Sequence, residues 1–246
     1  MAGRQRTPIP ELFLGLLAIG VAVVLTAHIV SGTLKARTHN HDTISITGSA
    51  RKPITSNLVR WSLTVSNEQK TASEAARRLR GQVARVRGYL VGNGIPGGAI
   101  TPDVVTSEEE VVPLPHRRRR VTFRVSQRLE VSTHKLDVVE GASVGVGQLL
   151  EQGITVSADS LAYISTELTK AKLDALTAAT ADARRRAEIL VDGLGGKLGP
   201  MRSTSLGVYQ ITPRDSTDVS DYGINDTTSR DKDVNAVVTA TFAVRR

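Results

Sequence analysis

Gly141-Ala142-Ser143-Val144-Gly145 has the G-x-S-x-G spacing of a hydrolase nucleophile elbow, where a strained strand-to-helix turn presents the serine hydroxyl to a histidine base. That chemistry needs an acid and then a histidine further along the chain. All five histidines, His28, His39, His41, His116 and His134, precede Ser143. The small residues around it fit the interior of a helix, where they permit close packing. Ser143 is therefore read as a packing residue, a hydrolase ranks third among the functions considered, and no catalytic residue is expected.

The run from His116 to Arg120 continues along alternating positions through Arg124 and Arg128. Guanidinium groups grip phosphates and carboxylates through paired N–H donors, so Arg118, Arg120, Arg124 and Arg128 are the candidate anion-binding residues. Glu108, Glu109 and Glu110 stand just upstream. If the turn lies within Pro113 to His116, they face Arg118 to Arg120 across a hairpin, and the expectation is a self-paired, solvated surface. The anion site is the alternative.

Metal chemistry finds weaker support. His39, His41 and Asp42 have ligand types but sit in a polar tether. Asp215, Asp218 and Asp221 recur every third residue with Asp226 beyond, whereas a calcium loop of the EF-hand type needs alternate ligands and a glycine at its sixth position. There is no cysteine, which removes disulfides, thiol nucleophiles and thiolate ligands. Neither a metal nor a cofactor is expected.

The elements that would position these residues follow from composition and periodicity. The chain has 246 residues with a formal charge of +8, which favours anionic partners. Aromatics make up only 3%, too few to offer a stacking platform, so nucleic acid is disfavoured. Leu12 to Val30 carries no charge, and a helix of about 19 residues spans roughly 28 Å, the thickness of a bilayer core. Arg4 and Arg6 precede it, and no A-x-A cleavage site follows, so a retained anchor is preferred to a cleaved signal peptide. The expected plan is a cytoplasmic n-region at 1–11, a single-pass anchor at 12–30, a tether at 31–42 and one domain at 43–246 outside the cytoplasm.

Within that domain a first strand begins at Ile44 and Ile46 and is expected to break at Arg51-Lys52-Pro53. Val59, Trp61, Leu63 and Val65 then alternate with polar residues as a half-buried strand. Thr71 and Glu74 form a capping box for a helix closed by Gly92 to Gly94. Segments 99–112 and 118–131 read as a hairpin, 135–150 as a helix, and 154–164 as a strand. Leu168 to Leu194 is a long Ala-rich helix, and the last strands lie near 202–211 and 234–244. The mixture lacks a regular βαβ repeat, so the fold class is α+β, with one mixed, largely antiparallel sheet packed with helices. Thr212 to Lys232 is a polar connection holding Tyr222 and Ile224, the candidate assembly contacts; plain disorder is the alternative.

Several of these segments together resemble the SIMPL-domain family, bacterial periplasmic proteins described as immunogenic or oxidative-stress-related. Ile44-Ser45-Ile46-Thr47-Gly48 resembles its opening strand, and Thr71-Ala72-Ser73-Glu74-Ala75 the start of its first helix. Gly94-Ile95 with Ile100-Thr101 is similar to the following link. Asp182-Ala183-Arg184-Arg185-Arg186-Ala187-Glu188-Ile189-Leu190, running on to Gly195-Gly196-Lys197-Leu198-Gly199, resembles its long helix and exit turn. The sequence departs from the family at Pro53-Ile54 and at Asp231 to Val234, where many members have Pro-Asp and Pro-Gly. The resemblance implies an extracytoplasmic α+β domain without established catalytic residues, and ring- or cage-like homo-oligomers in some members. The leading expectation is an anchored, self-associating envelope scaffold; a module binding an anionic envelope ligand or lipid headgroup comes second.

Overall fold

The computed structural model describes residues 42–113 and 119–245. The expected anchor at 12–30 lies outside them, as do the n-region and tether residues 31–41. Among the described residues no helix is long and apolar enough to cross a membrane. The fold is α+β, but among the described residues the strands form two five-stranded sheets instead of the expected single one. Two separate strands with strong alternation, one around Trp61 and one around Val238, each recruit their own partners. By internal contacts the described residues divide into a larger unit, 49–179 with 207–237, and a smaller one made of 42–48 with 180–206 and 238–245.

In the larger unit β3 (Ile100–Pro113), β4 (Arg119–Thr133), β2 (Leu58–Gln69) and β5 (Thr155–Ala158) lie in that order, with β6 (Ala162–Ile164) also paired to β2. Strand β2 (Leu58–Gln69) is central because Val59, Trp61, Leu63 and Val65 are all buried on one face. Burying a side chain of this size contributes about 1.5–3 kcal/mol. Helix α1 (Ala72–Gly92) covers that face with Ala75, Leu79, Val86 and Leu90, which join Val125, Leu129 and Val131 of β4 in one core. The expected cap is present: the Glu74 amide donates to Thr71 Oγ1 at 3.3 Å. Trp61 is buried, and its Nε1 donates to the Asp159 carbonyl at 3.0 Å.

Strands β3 (Ile100–Pro113) and β4 (Arg119–Thr133) form the expected hairpin in a different register. Glu108 faces Arg124, Glu109 faces Phe123 and Glu110 faces Thr122, while Arg120 faces Val112. A bulge between Pro102 and Val105 contributes to the offset by adding one residue to β3, and Gln127 Nε2 holds it by donating to the Asp103 carbonyl at 2.8 Å.

Other boundaries also moved. The helix expected over 135–150 is two, α2 (Leu136–Gly145) and α3 (Gln148–Glu151), parted at Val146 and Gly147. The strand expected over 154–164 is β5 (Thr155–Ala158) and β6 (Ala162–Ile164), which both pair with β2 but in registers one residue apart. The strand expected over 202–211 is split between β7 (Lys197–Leu206) and β8 (Gln210–Pro213). Strand β1 (Thr43–Thr55) runs on through Pro53, where a break was expected. It lies at the end of its sheet, and an edge strand tolerates a residue with no amide donor.

Helix α4 (Leu168–Gly193) buries alanine at every fourth position: Ala171, Ala175 and Ala179 in the larger unit, Ala183 and Ala187 in the smaller. Strand β10 (Asp231–Arg245) follows the short β9 (Ile224–Asn225). In the smaller unit, Ala240 and Phe242 of β10 pack with Ala183, Ala187, Ile44, Ile46 and Leu198. Strand β7 lies so close to β10 that a Cβ on Gly199 would stand 2.9 Å from the Ala243 carbonyl oxygen and 3.0 Å from its Cβ. Gly199→Ala should therefore destabilise the protein by about 1–3 kcal/mol, seen as a lower midpoint in urea unfolding; an unchanged midpoint would mean that the two strands separate freely.

Candidate functional site

Strand β3 ends its sheet, and residues 101–112 are exposed on both of its faces. Val104 is 74% exposed, and Val105, Val111, Val112 and Val121 are exposed with it. Beside these valines Arg124 is engaged twice, with Glu110 at 3.0 Å and Glu68 at 3.4 Å. Arg120 and Arg128 are exposed on the same face of β4, and Arg118 lies outside the described residues. Arginines four positions apart on a strand have Cα atoms about 13 Å apart, so sharing one phosphate requires both side chains to extend toward each other.

Ser143 sits within α2, not at a strand-to-helix turn, and its hydroxyl donates to the Glu140 carbonyl at 2.8 Å. Close packing occurs two residues later, where a Cβ on Gly145 would meet the Tyr89 hydroxyl at 2.6 Å. Tyr222 is 98% exposed, whereas Ile224 is half-buried in β9. The acidic residues of the connection serve the loop individually. Asp215 lies 3.8 Å from Arg51, and Asp218 accepts from the Ser216 hydroxyl. Among the described residues no three potential ligands are grouped to hold a metal. His39 and His41 lie outside them.

A polar cluster that sequence reasoning missed centres on Lys232, which is only 3% exposed. Its Nζ donates to the carbonyls of Tyr163 at 2.7 Å and Asp226 at 2.6 Å. Burial pushes the Lys232 amine below its ordinary value, with the charge of Asp226 opposing that shift. For Asp226 itself burial acts upward, but hydrogen bonds from the Thr228 hydroxyl and amide, both 2.8 Å, outweigh it and hold the carboxyl below its usual range. All of these bonds reach Oδ1; Oδ2 is buried, and no described residue offers it a partner. Tyr163 ties the cluster together. Its amide donates to the Thr227 carbonyl, and its hydroxyl donates to Glu140 Oε1 at 2.9 Å. Desolvation and that bond raise the phenol above its ordinary value. Glu140 in turn lies 3.6 Å from Arg230, which also holds Asp137. The alternation that identified β10 began at Val234, and a lysine two positions earlier on the same face was the available signal.

Two five-stranded sheets carrying helices, with an exposed edge hairpin, define an α+β protein. The family model SIMPL, described as a protein of unknown function (DUF541), matches residues 44–242, and the chain belongs to that family. No curated protein matches it. Among solved structures a candidate aminohydrolase from methicillin-resistant Staphylococcus aureus is 13% identical with a TM-score of 0.21. The match covers 57% of this chain and 38% of that one.

The buried amine has a measurable signature. Between the depressed native pKa and 10.5 the unfolded chain still holds the proton that the native state sheds, so stability contributed by this residue rises with pH across that window. In urea unfolding from neutral pH upward, wild type should gain on Lys232→Met until about 10.5. A flat or falling difference would mean that the native ammonium is hydrated.

Proposed function

We propose that this SIMPL protein is a membrane-anchored scaffold of the cell envelope, held by residues 12–30 with its domain outside the cytoplasm, whose copies join through the β3–β4 hairpin. The observation that carries the reading is the β3 edge: fourteen residues long, unpaired on one side among the described residues, with exposed valines on both faces. Such an edge is a template for strand addition, and main-chain hydrogen bonds to a second β3 would satisfy it. Antiparallel pairing about Ser107 sets Glu109 against Val105 and Glu110 against Val104, so like charges do not meet. Anchoring raises the local concentration of copies in the membrane plane, so modest contacts suffice. Tyr222 offers a second apolar contact. Capture of an anionic envelope ligand by Arg120, Arg124 and Arg128 is less favoured, because Arg124 is already bracketed by carboxylates.

For the full chain in detergent, light scattering should report an oligomer, and the pair Val105→Lys with Val111→Lys should reduce it to a monomer with the midpoint of thermal unfolding nearly unchanged. An unaltered mass in the double variant would overturn assembly through β3. Tyr222→Ala should weaken assembly less.

The anchor is tested separately. The protein should stay with membranes through carbonate extraction, and protease added outside spheroplasts should digest it from about Thr43 onward. Release by carbonate, or protection from the protease, would refute anchoring or orientation respectively.

A further inference from the structure

In the smaller unit, where the described chain begins, Ile44, Val191, Leu194 and Val244 line an open groove of about 440 Å³ together with Asp42 and Thr43. Given the anchor at 12–30, on which this reading rests, we propose that this end of the unit lies on the surface of an anionic bilayer, with Leu194 among the headgroups and Lys197 and Arg245 against lipid phosphates.

A single leucine in water is ordinary. Leu194 differs in its setting: it is 86% exposed, Leu190 one turn back on α4 is exposed with it, and the groove it lines continues the apolar surface through Val191, Ile44 and Val244. The turn holds it there. Helix α4 ends at Gly193, Gly195 takes a positive φ of 77°, and the Gly196 amide donates to the Val191 carbonyl at 2.9 Å. A Cβ on Gly196 would stand 3.1 Å from the Arg245 carbonyl oxygen, so this tight turn is packed against the end of β10 and presents its leucine on a fixed support. Lys197 and Arg245 are exposed and directly opposite each other across β7 and β10. Like charges so placed repel, and an anion between them removes that cost. Attachment at a bilayer surface combines these two features, apolar side chains entering the headgroup layer and cations drawn to anionic lipid. Asp42 and Asp192, exposed at the same end, oppose the attraction, so the leucine contact is needed beside it. The chain supplies the proximity. The Val244 amide donates to the Asp42 carbonyl at 2.8 Å, which ties the start of the described chain to this end of the unit. Even fully extended, residues 31–41 could not carry Asp42 more than about 40 Å from the end of the span, and they include Lys35 and Arg37.

The chain has no cysteine, so one introduced cysteine labels one position. The full chain with Leu194→Cys, bearing an environment-sensitive dye and reconstituted in vesicles of phosphatidylcholine and phosphatidylglycerol, should emit to the blue and lose roughly half its emission to lipids with a headgroup-level nitroxide. The same dye at Leu206→Cys, an exposed leucine of the same unit about 30 Å along β7 from Lys197, should do neither. Adding Lys197→Glu with Arg245→Glu should restore most of the lost emission. No quenching at 194, equal quenching at 206, or quenching untouched by the charge reversal would each overturn the contact. A blue shift without quenching would put a second copy or residues 31–41 over the groove, and would overturn it as well. Carbonate extraction of the same vesicles keeps the anchor separate. A protein that resists carbonate but is not quenched at 194 is anchored without the contact, and one that is quenched before carbonate strips it makes the contact without the anchor.

Discussion

An ammonium group cannot be left bare inside a protein, and the chain around Lys232 is arranged to meet that demand. Its acceptors are main-chain carbonyls from Tyr163, at the end strand β6, and from Asp226, in the connection that precedes β10. Holding both in reach fixes the path of the connection. The Asp226 amide donates to the Ile211 carbonyl, Tyr163 donates to Thr227, and the Arg214 amide donates to the Asp231 carbonyl. Asp215, at a positive φ of 62°, donates its amide to the buried Asp233 carboxylate. A polar segment whose composition suits disorder is thereby ordered, since these bonds close against strands fixed by the apolar core. Removing the ammonium would orphan two buried carbonyls, a loss of about 1–3 kcal/mol for each.

The same sheet that supplies this rigidity also supplies an exposed edge. Strand β4 is divided along its length: Val125, Leu129 and Val131 lie in the core under α1, while Arg119 to Val121 are exposed. Its partner β3 follows it outward from the buried Ile100 into residues exposed on both faces. The bulge at Asp103 and Val104 marks the transition, where the strand stops contributing to the core. A long edge of this kind invites pairing with other chains, and the glutamates at 108–110 with Arg124 restrict which pairings are tolerated. One unit thus carries opposite features among its described residues: an edge strand at its rim, and a buried carboxylate oxygen without a partner in its interior.

Much of this architecture is legible in the sequence because it is local. Alternation through Val59, Trp61, Leu63 and Val65 specifies a strand with one buried face, and the Thr71 cap with apolar residues at helical spacing specifies α1; neither depends on distant residues. The motifs recognised near Thr43, Thr71 and Asp182 likewise pointed to the family, since they report local elements. Register escaped: Glu108 pairs with Arg124, where Arg120 was expected, and the single-residue bulge held by Gln127 supplies one step of that offset, which no periodicity announces. Proline at 53 suggested a break, yet only the sheet order reveals that β1 is an edge where proline is tolerated. Lys232 looked like one more charge in a polar loop. Its burial comes from carbonyls 69 and 6 residues away meeting at one point, a convergence that is set when the core closes. Local periodicity therefore determined most of the elements, local motifs carried the resemblance to the family, and tertiary closure alone decided which polar atoms were left inside, because desolvation depends on everything that surrounds a group and not on its neighbours in sequence.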